Sequence, residues 1–122
     1  MSRPAVLRGA LLRAAHACLW AEENAVWHRD TAHAAQFNRE RTAAQMRVER
    51  VLTQAQIEGL IDANGVRQLL GLVLDALVDV RWRHEPRHQD HVVPFPEIER
   101  SLDRDLRATW SRSVRWLWRL AA

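Results

Sequence analysis

The chain has 122 residues, enough for one hydrophobic core and too few for two independent domains. Apolar residues make up 48% and charged residues 27%, a globular composition that excludes intrinsic disorder. The net charge is +3, and all 18 basic residues are arginine. A lone cysteine excludes an intrachain disulfide and favours a reducing, cytoplasmic location. No apolar run is long enough for a membrane span, so no membrane role is predicted.

The arginines are concentrated toward the two ends of the chain. Residues 1–21 carry three arginines and no acid, and residues 81–122 carry nine arginines against six acids. Residues 51–80 carry one arginine against four acids. Codon usage in a GC-rich genome would explain the absence of lysine, and so would a need for planar guanidinium groups that bind phosphate or carboxylate with two hydrogen bonds. This uneven distribution favours an acidic partner for the terminal helices, such as nucleic acid or an anionic membrane surface.

The first half of the chain predicts three helices. Ser2 as a cap and Pro4 in the first turn predict a helix over 3–28, in which Cys18 is a small buried hydrophobe. Asp30 or Thr31 can cap a second helix, which alternatively continues the first. Its apolar stripe is Phe37, Ala44, Val48, Val51 and Leu52. Thr53 and Gln56 form a capping-box pattern that predicts a third helix over 54–63, ended by Asn64 and Gly65.

The second half predicts a buried helix, a loop and a long amphipathic helix. Residues 66–83 are apolar almost all round, which indicates the central and most buried helix. Residues 84–96 contain three prolines and predict a loop. The last helix is expected over 97–120, with Ile98, Leu102, Leu106, Trp110, Val114 and Leu117 facing inward. The sequence therefore predicts an all-α, single-domain bundle of four to five helices spanning residues 1–122.

Catalytic patterns are weak. His84, Glu85 and His88 match the HExxH spacing of zinc peptidases, but Pro86 breaks the helix that would put both imidazoles on one face. A looser cluster of His84, His88, Asp90 and His91 leaves open whether this loop binds a metal. No nucleophile triad and no glycine-rich phosphate loop is present. We therefore predict no catalytic residue, no cofactor and no metal site, and a protein that is not an enzyme.

Two acidic residues lie one turn apart on the polar line of the helix predicted over 66–83. Asp75 and Asp79 can form a paired-carboxylate site with raised pKa values, or can pair with arginines. Arg83, one turn beyond Asp79, favours an ion pair.

A helix-turn-helix is a further alternative, since Leu52 to Ile57 begin like the first helix of such a motif. Its recognition helix would have to present polar side chains to base edges. Residues 66–74 are nearly all apolar, which indicates a core helix instead.

The carboxyl-terminal run interleaves tryptophan with arginine. No acid follows Asp105, while Trp110, Trp116 and Trp118 alternate with arginines. Guanidinium groups bind phosphates and exposed rings stack on bases, which suits sequence-tolerant binding of a single strand. Tryptophans at helical spacing are also typical of a core, a protein interface or a membrane-surface helix.

In size, helix pattern and arginine-bearing helices without catalytic residues, the chain resembles the small subunits of multi-subunit CRISPR effector complexes. The resemblance implies a compact helical bundle in an antiviral ribonucleoprotein, holding RNA or DNA by its backbone beside other subunits or further copies of itself. The expected phosphate contacts are Arg39, Arg47, Arg50, Arg104, Arg107, Arg112 and Arg115. The expected partner interface is Trp110, Trp116 and Trp118. The alternative function is a helical protein-interaction module, such as an adaptor, inhibitor or antitoxin, that docks through the carboxyl-terminal helix.

Overall fold

The computed structural model describes residues 2–85 and 92–121, and within these ranges the chain is α-helical without a strand. The helices are α1 (Arg3–Trp27), α2 (Ala34–Ile57), α3 (Ala63–Trp82), α4 (Phe95–Ser113) and α5 (Trp116–Ala121). The predicted all-α bundle is confirmed. In the described part of the chain, no helix is both long enough and apolar enough to cross a membrane.

Helix α1 lies at the centre of the bundle. It begins as predicted, with the Ser2 hydroxyl accepting a hydrogen bond from the Ala5 amide at 3.3 Å. It packs against α2, α3 and α4, and its many small buried residues let those helices approach closely. The prediction that residues 66–83 form the most buried helix is wrong, because Leu74 and Val78 of α3 are 38% and 45% exposed.

Helices α1 and α2 form an antiparallel hairpin. The predicted helix break near Thr53 is wrong, since α2 runs unbroken to Ile57 and buries Leu52 and Ala55 completely on one side. The chain leaves α2 through Gly59, whose φ of 74° is the left-handed conformation that glycine tolerates.

The predicted stop at Asn64 and Gly65 lies instead in the first turn of α3. The Asp62 carboxylate caps this helix by accepting a hydrogen bond from the Gly65 amide at 2.8 Å. Gly65 also permits a close helix approach, because a Cβ at this position would lie 3.2 Å from Cβ of Ser113. Gly71, farther along α3, faces open space.

The predicted last helix is interrupted after Ser113. Val114 has extended backbone angles, and the Arg115 amide donates a hydrogen bond to the Leu60 carbonyl at 2.8 Å. This contact with the turn between α2 and α3 redirects the chain into α5. As a result Leu117, predicted to face inward, is 62% exposed. The other predicted inward residues of α4 and its end are buried: Ile98, Leu102, Leu106, Trp110 and Val114.

Candidate nucleic-acid interface

A groove between α1 and α2 collects three arginines. Its volume is about 460 Å³, and it is lined by Ala10, Arg13, Ala14, Arg47, Arg50 and Val51. The two alanines come from successive turns of α1, so they leave room between the helices. The groove is therefore open, shallow and bordered by guanidinium groups from both helices.

The charges of this groove are not neutralised by neighbours. Arg13, Arg47 and Arg50 are exposed. In the described ranges none of the three side chains takes part in an ion pair, and no acid lines the groove. Burial raises the pKa of the Cys18 thiol to about 11, and the positive charges of Arg47 and Arg41 act in the opposite direction, so the charge of Arg47 is felt inside the hairpin. The groove is thus a site of positive potential ready for an anion.

Arg39 extends this basic surface along α2. It lies beside an exposed depression formed with Asn38, Thr42, Ala43 and Met46. From Arg39 to Arg50 is about 16 Å along the helix axis at 1.5 Å per residue. The predicted contacts on α2 and the groove therefore form one strip on the hairpin, which we call the arginine strip: Arg13, Arg39, Arg47 and Arg50.

The predicted contacts on α4 differ, because acids on the same helix occupy two of them. Arg107 donates a hydrogen bond to Asp103 at 2.8 Å, and Arg104 lies 3.3 Å from Asp105. Although partial burial raises the pKa of Asp103, hydrogen bonds from Arg107 and His16 outweigh it and lower that pKa. Arg104 and Arg107 are therefore partly neutralised by carboxylates, whereas the arginines of the arginine strip are not.

Arg112 and Arg115 lie near the end of α4. Arg112 donates a hydrogen bond to the Thr109 hydroxyl at 3.1 Å. Arg115 is exposed, and its backbone amide holds the turn at Leu60. The structure thus separates the seven predicted phosphate contacts into one group on α2 and another on α4 and its end.

The three predicted interface tryptophans occupy different environments. Trp110 is 3% exposed and belongs to the core, so its ring is not available at the surface. Trp118 is partly buried and packs against the same core. Trp116 is 65% exposed. Only the last of these three rings can stack on a base or a partner without a rearrangement.

A pair of buried carboxylates lies near the end of α1 and was not predicted from the sequence. Glu22 and Glu23 are 3% and 6% exposed. Glu22 accepts hydrogen bonds from Arg41 of α2 at 3.0 Å and from Arg81 of α3 at 2.9 Å. The sequence feature that could have predicted this pair is two adjacent acids in a helix that contains no other acid.

The second carboxylate, Glu23, ties α1 to the end of α3. It pairs with Arg83, accepts a hydrogen bond from the Trp27 indole at 2.9 Å, and lies 3.0 Å from Nε2 of His84. In the described ranges every buried side-chain polar atom has a hydrogen-bond partner. The two glutamates therefore hold the bundle together.

The predicted ion pair between Asp79 and Arg83 is not formed, because Arg83 turns to Glu23. Burial, and then the neighbouring Asp75, raise the pKa of Asp79. Of the predicted metal cluster, His84 pairs with Glu23, while His88, Asp90 and His91 lie outside the described residues. Residues 2–85 and 92–121 contain no group of His, Cys, Asp and Glu side chains suited to a metal ion.

Comparison with known proteins adds no relative, since no protein-family model, curated protein or solved structure matches this chain.

Proposed function

We propose that the chain is a non-enzymatic subunit of a larger ribonucleoprotein, and that it holds a nucleic-acid strand by its backbone. The observation that carries the proposal is the groove between α1 and α2, where Arg13, Arg47 and Arg50 converge without an acid. This role is that of the CRISPR effector small subunits that the chain resembles.

Arginine suits this task for a physical reason. A guanidinium group is always charged and presents a planar fork of donors that matches two phosphate oxygens. Salt-bridged arginines would have to give up a partner first, whereas those of the arginine strip would not. Contacts to phosphates alone carry no sequence information, so the proposed binding is tolerant of sequence.

The predicted salt dependence follows from the number of contacts. If the four side chains of the arginine strip each neutralise one phosphate, log K falls with log salt with a slope of about −2.8 for a single strand or about −3.6 for B-form DNA. Between about 50 and 200 mM salt, affinity should then fall roughly 50-fold or roughly 150-fold, respectively.

Fluorescence anisotropy with labelled single-stranded and duplex oligonucleotides tests this expectation. Arg47→Gln and Arg50→Gln should each weaken binding and reduce the steepness of the salt slope by about 0.7 to 0.9. Arg100→Gln is the matched control, because it removes the same charge from an exposed position on α4. Loss of affinity in the control equal to that in Arg47→Gln would show that net charge, and not the groove, drives binding. Absence of binding at low salt would overturn the proposal and favour the protein-interaction module.

A further inference from the structure

Helix α5 presents an apolar face that its own bundle does not cover. Trp116, Leu117 and Leu120 are 65%, 62% and 78% exposed. Their spacing puts them on one side of the helix, while Trp118 points to the other side and packs on the core. Such clustering differs from isolated surface hydrophobes, which need no explanation.

The surroundings of this face are basic. No acid follows Asp105 in the sequence. Arg119 donates hydrogen bonds to the Ser111 and Arg112 carbonyls at 2.9 Å each, so it caps the end of α4 and keeps its charge. Arg115, at the start of α5, is exposed and its side chain has no ion pair within the described ranges. A partner for α5 should therefore be apolar at its centre and acidic at its rim.

The groove between α3 and α4 has this character. Its volume is about 590 Å³, within the range of pockets that enclose a large side chain or a small ligand. The apolar lining includes Leu72, Ala76, Val93, Ile98 and Leu102. Three carboxylates stand beside it: Asp75, Asp79 and Asp105.

Among the described lining residues, the charge of this groove is negative and incompletely neutralised. Arg83 is the one cation among the described lining residues, and its guanidinium is taken by Glu23. Asp75 and Asp79 are exposed and form no ion pair in the part of the chain that the structure describes. Burial, and then the negative charge of Asp75, raise the pKa of Asp79, and a cation placed beside the two carboxylates would offset both effects.

The two surfaces are held apart within one molecule. The groove runs from the middle of α3 and α4, at Leu72 and Asp105, to the end of the bundle where α3 finishes and α4 starts. Helix α5 is held at the other end of α4 by the hydrogen bond from the Arg115 amide to the Leu60 carbonyl and by the packing of Trp118 on the core. Asp105, the lining residue of α4 nearest to α5 in sequence, precedes Ser113 at the end of α4 by eight residues, or about 12 Å along the helix axis.

We propose that α5 of one copy of this chain docks into the α3–α4 groove of a second copy. Trp116 and Leu120 would enter the apolar lining, and Arg115 would approach the rim at Asp75 and Asp79. The two surfaces are different patches of the same molecule, so the contact is heterologous and copies add head to tail. A single short helix buries less area than a standard interface, so assembly is weak and rises with concentration. This inference is independent of nucleic-acid binding by the arginine strip, because it uses no residue of that strip; of the expected phosphate contacts it uses Arg115 alone.

Two complementary variants test the inference in sedimentation experiments on protein freed of nucleic acid. Leu117→Asp with Leu120→Asp disables α5, and Asp75→Arg with Asp79→Arg disables the groove. Each changes exposed positions only, and circular dichroism should show an unaltered helix content. At concentrations where the native chain assembles, each variant alone should stay monomeric. The dissociation constant should rise at least about tenfold, because each variant places an unpaired charge at the contact.

An equimolar mixture of the two variants is the decisive measurement. It contains one intact α5 and one intact groove per pair, so it should form a heterodimer and no larger species. Met46→Asp and Glu49→Arg change exposed residues of α2 and should assemble as the native chain does. A mixture that stays monomeric, a native chain that stays monomeric at every concentration, or a closed dimer insensitive to both variants would overturn the inference.

Discussion

Glu22 forms ion pairs with two arginines, Arg41 and Arg81, that differ in burial. Double-mutant cycles measure the coupling energy of each pair, and we expect the pair with the more buried arginine to have the larger coupling energy. Glu22 has 4% side-chain exposure in both pairs, while Arg41 is 26% exposed and Arg81 is 53% exposed. The nitrogen-to-oxygen distances are nearly equal at 3.0 and 2.9 Å. Geometry therefore predicts equal coupling, whereas solvent screening predicts unequal coupling.

For Glu22→Gln with Arg41→Gln we expect a coupling energy of about 1–3 kcal/mol, since both groups are largely removed from water. For Glu22→Gln with Arg81→Gln we expect about 0.5–1 kcal/mol, because half of the Arg81 side chain is solvated. Urea unfolding followed by circular dichroism supplies the free energies.

The exposed pair of Arg104 and Asp105, at 74% and 46% side-chain exposure, is the internal reference. Its cycle should give a coupling energy near zero. Equal coupling in all three cycles would refute the reasoning that burial sets the strength of these pairs. Replacement of Glu22, Arg41 and Arg81 together by apolar residues should also cost less stability than loss of both arginines alone, which strands a buried charge.

The two glycines of α3 should respond to alanine in opposite directions. Gly71→Ala should raise the free energy of unfolding by about 0.5–1 kcal/mol, since it meets open space. Gly65→Ala should lower it by about 1 kcal/mol through crowding against the end of α4; equal effects in thermal melts would contradict the close approach described above. The salt bridge of Glu58 predicts a pH effect, because hydrogen bonds from Arg3 and then from a neighbouring glutamine lower the pKa of Glu58 from 4.5 to about 2. A depressed carboxyl pKa stabilises the folded state above pH 4.5, and this contribution is lost as the pH falls toward about 2. Glu58→Gln should therefore flatten the acid limb of the stability profile, and a parallel shift of the whole profile would contradict this assignment.

Local patterns predicted the features that depend on neighbours in sequence. The start of α1 follows from Ser2 and Pro4, and the buried stripe of α4 from its three- and four-residue spacing. Burial of Cys18 also followed from its apolar neighbours. These interactions span a few residues, so the sequence contains them explicitly.

The features that were missed depend on contacts distant in sequence. The break before α5 arises from the hydrogen bond between Arg115 and Leu60, which no local pattern encodes. Arg13 was not among the expected phosphate contacts, because its place beside Arg47 depends on the register of the hairpin. The exposure of one side of α3 depends on how many helices pack against it. The apolar pattern of residues 66–83 does not determine how many do.

Glu22 has one more consequence, for the alignment of the helices. The interface between α1 and α2 is rich in small side chains such as Ala14, Ala15 and Ala44, and smooth surfaces of this kind allow one helix to slide along another with little change in contact. A slip of one turn would move α2 by about 5.4 Å and take Arg41 out of reach of the carboxylate. One buried charge, held by α2 on one oxygen and by α3 on the other, thus favours a single alignment of three helices.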